Sequence, residues 1–108
     1  MSDLSTHVLD AVTGKPASGL TVILYDSDGA ELASSTTDSD GRIGSLAGGG
    51  LTEGVYRLLF DTGKWFADNH IEGFYPEVAI TFSVTDTTRH HHVPLLLSPF
   101  AYSTYRGS

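Results

Sequence analysis

The chain has 108 residues, contains no cysteine and carries 13 acidic against 6 basic side chains, for a net charge of −7. This length predicts one domain, residues 1–108, that can bury a core without disulfides. The lack of cysteine excludes thiol nucleophiles and cysteine-based metal sites. The negative charge argues against DNA or RNA as a partner, because nucleic-acid-binding proteins present clustered Lys and Arg.

The first residues, "MSDLSTHVLD", have neither the basic segment nor the apolar stretch of a secretory signal. Further along the chain, no apolar run approaches the length of a membrane span. We therefore expect a cytoplasmic protein with no membrane partner.

Apolar and polar residues alternate along several short runs, among them 19–27 and 78–85. A period of two is typical of strands with one buried face, so Leu20, Val22 and Leu24 should face a core together. Seven or eight such strands follow one another at the spacing of a β-sandwich. The pattern predicts an all-β fold.

Two Asp-Gly pairs punctuate these runs, Asp28-Gly29 and Asp40-Gly41. Each lies between extended runs, and glycine accepts the positive φ that tight hairpin turns require. Both pairs are therefore predicted to close β-hairpins.

One segment, 61–76, has the spacing of a helix instead. Gly73 and Pro76 are expected to end it. The side chains that carry the helical spacing are Trp65, Phe66, Asn69 and His70.

Four histidines stand in strand-like runs. In "RHHHVPLLL" alternation places His90 and His92 on one face and His91 on the other, while His7 lies in the first run. Histidine transfers protons near pH 7 and also ligates zinc. The spacing alone favours a structural role first, a metal site second and acid–base chemistry third.

Pro94 lacks a backbone N–H, so we expect it at a sheet edge or a strand start. The following run, 95–97, is leucine on both faces, which predicts an isologous subunit interface that covers the face away from the core. Arg42 follows the second Asp-Gly pair. It is either a solvated side chain or a planar donor for a carbonyl or an oxyanion.

Three separated stretches together resemble the 5-hydroxyisourate hydrolases, the enzymatic branch of the transthyretin family. They are "LSTHVLDAVTGKPASGLTVILYD", "TTDSDGRIG" and "HHHVPLLLSPFAYSTYRGS", and the helical segment matches where that family places its one short helix. The resemblance implies a transthyretin-like sandwich of two four-stranded sheets with one short helix. It also implies a homotetramer, a dimer of dimers, with active sites in a channel between the dimers.

By the same resemblance, the catalytic residues fall on His7, Arg42, His92 and the terminal Ser108, and Tyr105 binds substrate together with His7 and Arg42. The implied reaction opens the ring of 5-hydroxyisourate to give 2-oxo-4-hydroxy-4-carboxy-5-ureidoimidazoline, without a metal or an organic cofactor. Which of the two histidines acts as the base is left open.

Two positions depart from the family pattern, because His91 stands where tyrosine is usual and Ala101 where glycine is common. Two other functions stay open beside the hydrolase. One is a transthyretin-like carrier of a small molecule, and the other is a zinc hydrolase that uses His7, His90 and His92.

Overall fold

The structure is a computed structural model that describes residues 3–48 and 50–107. Within these residues it contains eight β-strands and one α-helix, which agrees with the seven or eight strands predicted. In chain order they are β1 (Leu4–Asp10), β2 (Thr21–Asp26), β3 (Glu31–Thr36), β4 (Arg42–Ile43), β5 (Gly54–Phe60), α1 (Thr62–Asp68), β6 (Val78–Val84), β7 (His91–Ser98) and β8 (Ala101–Thr104).

The strands form two four-stranded sheets. Sheet A has the order β4-β1-β7-β8 and sheet B the order β3-β2-β5-β6. Strands β1 and β7 run parallel, and the other neighbouring pairs are antiparallel. The predicted sandwich of two four-stranded sheets with one short helix is confirmed.

The core lies between the sheets and follows the predicted alternation. In β2, Val22 and Leu24 are completely buried, as is Leu20 just before the strand. In β6, Val78 and Val84 are buried, while Ile80 and Phe82 are partly buried against the same cluster. Burying one such side chain stabilises the fold by about 1.5–3 kcal/mol, so the alternation fixes which face of each strand points outward.

The turn at Asp28-Gly29 is the hairpin that the sequence predicts. It joins β2 to β3, Gly29 has a φ of 84°, and Asp26 Oδ1 accepts hydrogen bonds from the N–H groups of Asp28 and Ala30, both at 2.9 Å. The positive φ explains why glycine stands here.

The prediction of a β-hairpin at Asp40-Gly41 is wrong. A tight turn is present, since Gly41 has a φ of 74° and donates its N–H to the Asp38 carbonyl at 2.9 Å. However, β3 and β4 belong to different sheets, so the turn carries the chain from sheet B to sheet A. A local turn signal reports backbone angles and not the partner of the next strand.

The helix is shorter than the segment that predicted it. It ends at Asp68, and the chain turns at His70, whose φ is 58°, before it reaches Gly73 or Pro76. Trp65 and Phe66 are buried, and the Trp65 indole N–H donates to the Ser18 carbonyl at 2.9 Å. Packing of these two rings therefore decides where the helix lies.

Pro94 does not lie at an edge or a strand start, as predicted, but inside β7, an inner strand. Its carbonyl accepts a hydrogen bond from Thr104 Oγ1 at 2.6 Å, so this residue's polar groups face β8. The β7–β8 ladder begins at Leu95 opposite Thr104. Strand β8 ends at Thr104, opposite Leu95, so it does not extend far enough to pair with the Pro94 nitrogen.

The leucine run has one outward side chain, because Leu95 and Leu97 are buried in the core and Leu96 is only partly covered on the outer face of sheet A. Among residues 3–48 and 50–107, no helix is long and apolar enough to span a membrane.

Candidate active site

His7 and Arg42 are brought together by the pairing of β1 with β4, in which they stand directly opposite each other. Opposite residues of an antiparallel pair have Cβ atoms about 4.5–5.5 Å apart. Strand β4 has only two residues and is placed by the turn before it, where Asp38 Oδ1 accepts hydrogen bonds from the N–H groups of Asp40 and Arg42, both at 2.9 Å. This turn fixes the position of Arg42 beside His7.

His92 joins them from the neighbouring strand. In the parallel β1–β7 pair, Ser5 stands opposite His92, two positions before His7. Leu4, Thr6 and Val8 are buried in the core, so Ser5 and His7 occupy the outer face of sheet A. The structure therefore brings His7, Arg42 and His92 to one patch on this face.

The surroundings of His92 favour its uncharged form. Partial burial lowers the pKa of His92 below its ordinary value of 6.5, and the charges of Arg42, His7 and His90 lower it further. Its Nδ1 lies 2.7 Å from Ser5 Oγ. A histidine held neutral near pH 7 can act as a proton acceptor.

Arg42 presents its cation to solvent. Its side chain is exposed, and within residues 3–48 and 50–107 its guanidinium forms no salt bridge with a carboxylate. The nearby Asp38 carboxylate accepts the Arg42 backbone N–H, and this hydrogen bond is the main cause that lowers the pKa of Asp38. The guanidinium is therefore free to receive a carbonyl or an anionic oxygen.

The C-terminal segment folds back onto His92. After β8 ends, the N–H of Gly107 donates to the His92 carbonyl at 2.9 Å, and the two residues form a β-bridge. Tyr105, between the strand and the bridge, is 60 % exposed. Ser108, the fourth predicted catalytic residue, lies outside the described residues.

Two cavities meet at His92. One, of about 340 Å³, is lined by Ser5, Arg42 and His90 among others. The other, of about 290 Å³, lies between Tyr105 on the tail and Phe82 on β6. Within the described part of one chain, Tyr105 and Arg42 thus line different cavities, which share His92.

His91 points away from His92, as its position in the strand predicts. Its side chain is 8 % exposed and lines the second cavity, and its Nδ1 has no hydrogen-bond partner within the described residues. An unpaired buried nitrogen costs stability, so this histidine is an unfavourable occupant of its site.

The zinc alternative finds no support in the geometry. Among the described residues, no group of three or more His, Asp or Glu side chains could hold a metal ion. His90 and His92 instead both point at the Ser5 hydroxyl, at 2.7 Å each. Sequence reasoning did not single out Ser5, although the alternating burial along β1 is a signal that places it on the same face as His7.

Comparisons with known proteins identify the family of the chain. A family model described as the HIUase/Transthyretin family matches residues 4–107. The chain belongs to this family.

Curated family members of similar sequence include the 5-hydroxyisourate hydrolases of Salmonella typhimurium and Mus musculus. The first is 45 % identical over 97 % of this chain and 80 % of its own length. The second is 44 % identical over 99 % of this chain and 96 % of its own length.

Solved structures of the family superpose closely. A 5-hydroxyisourate hydrolase from Klebsiella pneumoniae has a TM-score of 0.91 and 42 % identity, covering 98 % of this chain and 99 % of its own. Sea bream transthyretin in complex with thyroxine has a TM-score of 0.86 and 31 % identity, covering 97 % of this chain and 94 % of its own. The fold is therefore shared by members that are named as enzymes and by a member that holds a hormone.

Proposed function

We propose that this chain catalyses the hydrolytic ring opening of 5-hydroxyisourate at the patch formed by His7, Arg42 and His92. The observation that carries the proposal is the strand register of sheet A, which sets His7 opposite Arg42 and places His92 on the neighbouring strand. Similar proteins from bacteria and animals bear the name of this activity. The reaction belongs to the degradation of urate.

The charge states of His92, Arg42 and His7 suggest a different role for each residue. Water must lose a proton as it attacks the ring carbonyl, and His92 is the better base because burial and nearby cations hold its ring neutral. General bases of this kind accelerate reactions by about 10²–10⁴-fold. Arg42 stabilises the oxyanion that forms, and His7 beside it donates the proton that the leaving ring nitrogen requires.

The C-terminal segment completes the site. Tyr105 lines the cavity on the far side of His92, where its ring and hydroxyl can orient the substrate. The residue before Ser108, Gly107, is hydrogen-bonded to the backbone of His92, which supports a role for this segment beside the proposed base. We assign Ser108 the positioning of substrate and water.

The functional unit is proposed to be a homotetramer, a dimer of dimers, in the cytoplasm. Among the described residues, β8 is an edge strand of sheet A and β6 is an edge strand of sheet B. All four residues of β8 are exposed, and Tyr102 lies beside the partly covered Leu96 around a cavity of about 210 Å³. Such edges and apolar outer positions favour pairing with further copies of the chain.

The test is the ultraviolet-monitored decay of freshly generated 5-hydroxyisourate, with and without the purified protein. We expect the protein to accelerate the decay, and His7→Ala, Arg42→Ala and His92→Ala each to lower kcat at least about tenfold, with non-additive double variants. An exposed histidine away from the patch, in the variant His70→Asn, serves as the matched control. Decay no faster than in buffer would refute the proposal.

A second variant tests the tail. Removal of residues 105–108 should abolish turnover while circular dichroism shows an intact sandwich, and full activity of the truncated chain would contradict the role given to this segment. Stoichiometric zinc in the chelator-washed protein would instead favour the zinc hydrolase.

The alternative function is a small-molecule carrier. The likeness to sea bream transthyretin in complex with thyroxine favours it, whereas the polar patch of His7, Arg42 and His92 opposes it, because a carrier of an aromatic hormone does not need such groups. Tight binding of thyroxine in calorimetry, together with no acceleration of hydroxyisourate decay, would decide for the carrier.

A further inference from the structure

The Ser5 hydroxyl lies between two histidine rings. Its Oγ is 2.7 Å from Nδ1 of His92 and 2.7 Å from Nε2 of His90. The backbone fixes this contact, since Ser5 and His92 are direct partners in the β1–β7 register. The mechanism described above gives neither Ser5 nor His90 a task.

A serine hydroxyl has one proton to donate and can accept two hydrogen bonds. It can therefore donate to only one of the two rings, while the other ring must donate to it. If His92 donates from Nδ1, its Nε2 keeps a lone pair and can take a proton from water. If Ser5 donates to Nδ1, the proton of the neutral ring stands on Nε2, and His92 cannot act as a base.

We propose that Ser5 is a positioning residue that holds His92 as the Nδ1–H tautomer and links it to His90, through which the proton released in each turnover reaches solvent. The inference rests on the proposed hydrolysis and deepens it. His92 remains the group that contacts water, and Ser5 acts through it.

The proton balance of the reaction requires such an exit. Water forms the new C–O bond and the ring C–N bond breaks. One proton of the water ends on the leaving nitrogen, which becomes part of a ureido group and is not basic. The new carboxyl group is ionised at neutral pH. Each turnover thus releases one proton.

The contacts supply a route for that proton. His92 accepts a proton at Nε2, its Nδ1 proton passes to Ser5 Oγ, and the Ser5 hydroxyl proton passes to Nε2 of His90. Because the side chain of His90 is exposed, it can return the proton to solvent. After product release, Nε2 of His92 gives its proton to solvent water and one proton returns from solvent through His90 and Ser5 to Nδ1. This exchange restores the starting tautomer of His92 and keeps the net release at one proton per turnover.

Charged groups around the relay, which is the path from His92 through Ser5 to His90, favour proton transfer toward His90. Burial opposes ionisation of Asp3, but hydrogen bonds from Ser45 and the backbone, with the charge of His90, keep the pKa of Asp3 below its ordinary value. A proton on His90 therefore has a carboxylate nearby. The titratable or charged groups that face His92 are Arg42 on β4, His7 on β1, His90 before β7, and Tyr105 and Arg106 on the tail.

The tautomer can be measured without substrate. In the ¹⁵N-labelled full-length protein above pH 7.5, long-range nitrogen–proton correlation spectra should show the Nδ1–H form for His92. The variant Ser5→Ala should shift the populations toward Nε2–H, and Ser5→Thr, which keeps the hydroxyl, should restore the original spectrum. An Nε2–H ring in the unmodified protein, or spectra of Ser5→Ala with an unchanged tautomer, would overturn the proposal.

Kinetics provide the second readout. We expect Ser5→Ala to lower kcat about tenfold or more with little change in KM, because binding contacts are unchanged, and Ser5→Thr to recover most of the rate. His90→Asn should lower kcat at low buffer concentration and be rescued by added imidazole. His70→Asn is the matched control, and it should show neither effect.

An unchanged kcat in both Ser5→Ala and His90→Asn would refute the relay. If the unmodified protein shows no hydroxyisourate decay at all, the proposed reaction fails, while the spectra still decide whether Ser5 sets the tautomer of His92.

Discussion

The backbone of Gly107 packs directly against the His92 ring. A Cβ atom at position 107 would overlap His92 Cδ2 and lie 3.0 Å from His92 Cβ. At the same time, the Gly107 N–H is bonded to the His92 carbonyl at 2.9 Å, so the tail cannot move away without losing that bond. Close approach, and not a positive φ, is what requires glycine here.

We predict that Gly107→Ala lowers kcat about tenfold or more with an almost unchanged fold. The added methyl group must displace either the ring of His92 or the tail, and small displacements of a catalytic group cost large factors in rate. Turnover and the proton resonances of His92 measure the effect. Full turnover with unmoved His92 resonances would contradict the packing argument.

A matched control separates activity from stability. Gly29 has a φ of 84° and open space around its Cα, in the β2–β3 turn. Gly29→Ala should therefore lower the free energy of unfolding by about 1 kcal/mol through strain, with unchanged kcat.

We predict that kcat/KM falls on the acidic side with a midpoint below pH 6.5. Burial and neighbouring cations lower the pKa of His92 below its ordinary value of 6.5. Half of the rings therefore become protonated, and inactive as a base, only at a pH below 6.5. The same shift affects folding, because the folded chain binds fewer protons than the unfolded chain. The contribution of His92 to stability is therefore present above 6.5 and is lost as the pH falls. A rate profile with a midpoint above 6.5 would exclude His92 as the base.

Replacing Arg42 should move the titration of His92. After burial, the charge of Arg42 is the largest cause that lowers the pKa of His92. We predict that Arg42→Ala raises this pKa, whereas Arg42→Lys, which keeps a positive charge, leaves it nearly unchanged. Nuclear magnetic resonance titration of the ring protons measures both variants. Equal shifts in the two variants would show that the charge of Arg42 does not act on His92.

We predict that His91→Phe stabilises the fold by about 1 kcal/mol or more, or by several degrees in Tm. The substitution removes a buried nitrogen that has no partner within the described residues, and the adjoining cavity of about 290 Å³ accommodates the larger ring. Thermal unfolding at pH 7.5 is the measurement, with His70→Asn at an exposed position as the control, because asparagine accepts the φ of 58° found there. A lower Tm for His91→Phe would show that His91 has a partner in the assembled protein.

Much of the fold follows from local sequence. The alternation along 19–27 and 78–85 predicts the strands and their buried faces, because burial of apolar side chains selects one face of each strand. The Asp28-Gly29 hairpin follows from the positive φ that glycine accepts. In the site, alternation alone places His90 and His92 together and His91 opposite, as the contacts with Ser5 and the burial of His91 show.

Other features depend on strand order, which local patterns do not encode. The turn at Asp40-Gly41 has the same sequence signal as a hairpin, yet it connects the two sheets, since Arg42 pairs with His7 of β1 and not with β3. Pro94 lies in an inner strand because β8 ends before it reaches the proline nitrogen. Which strands become neighbours is set by packing of the whole core.

By itself, the sequence determined the β-class and the outward and inward faces of the strands, and through resemblance it predicts His7, Arg42 and His92 as site residues. Only the tertiary structure decided that Ser5 bridges two histidine rings and that Gly107 packs on one of them. The Ser5–His92 contact joins residues more than eighty positions apart and arises from the pairing of β1 with β7. The Gly107–His92 contact arises because the tail folds back onto β7. Local propensity carries no information about such pairings, because their free energy comes from groups that are neighbours only after folding.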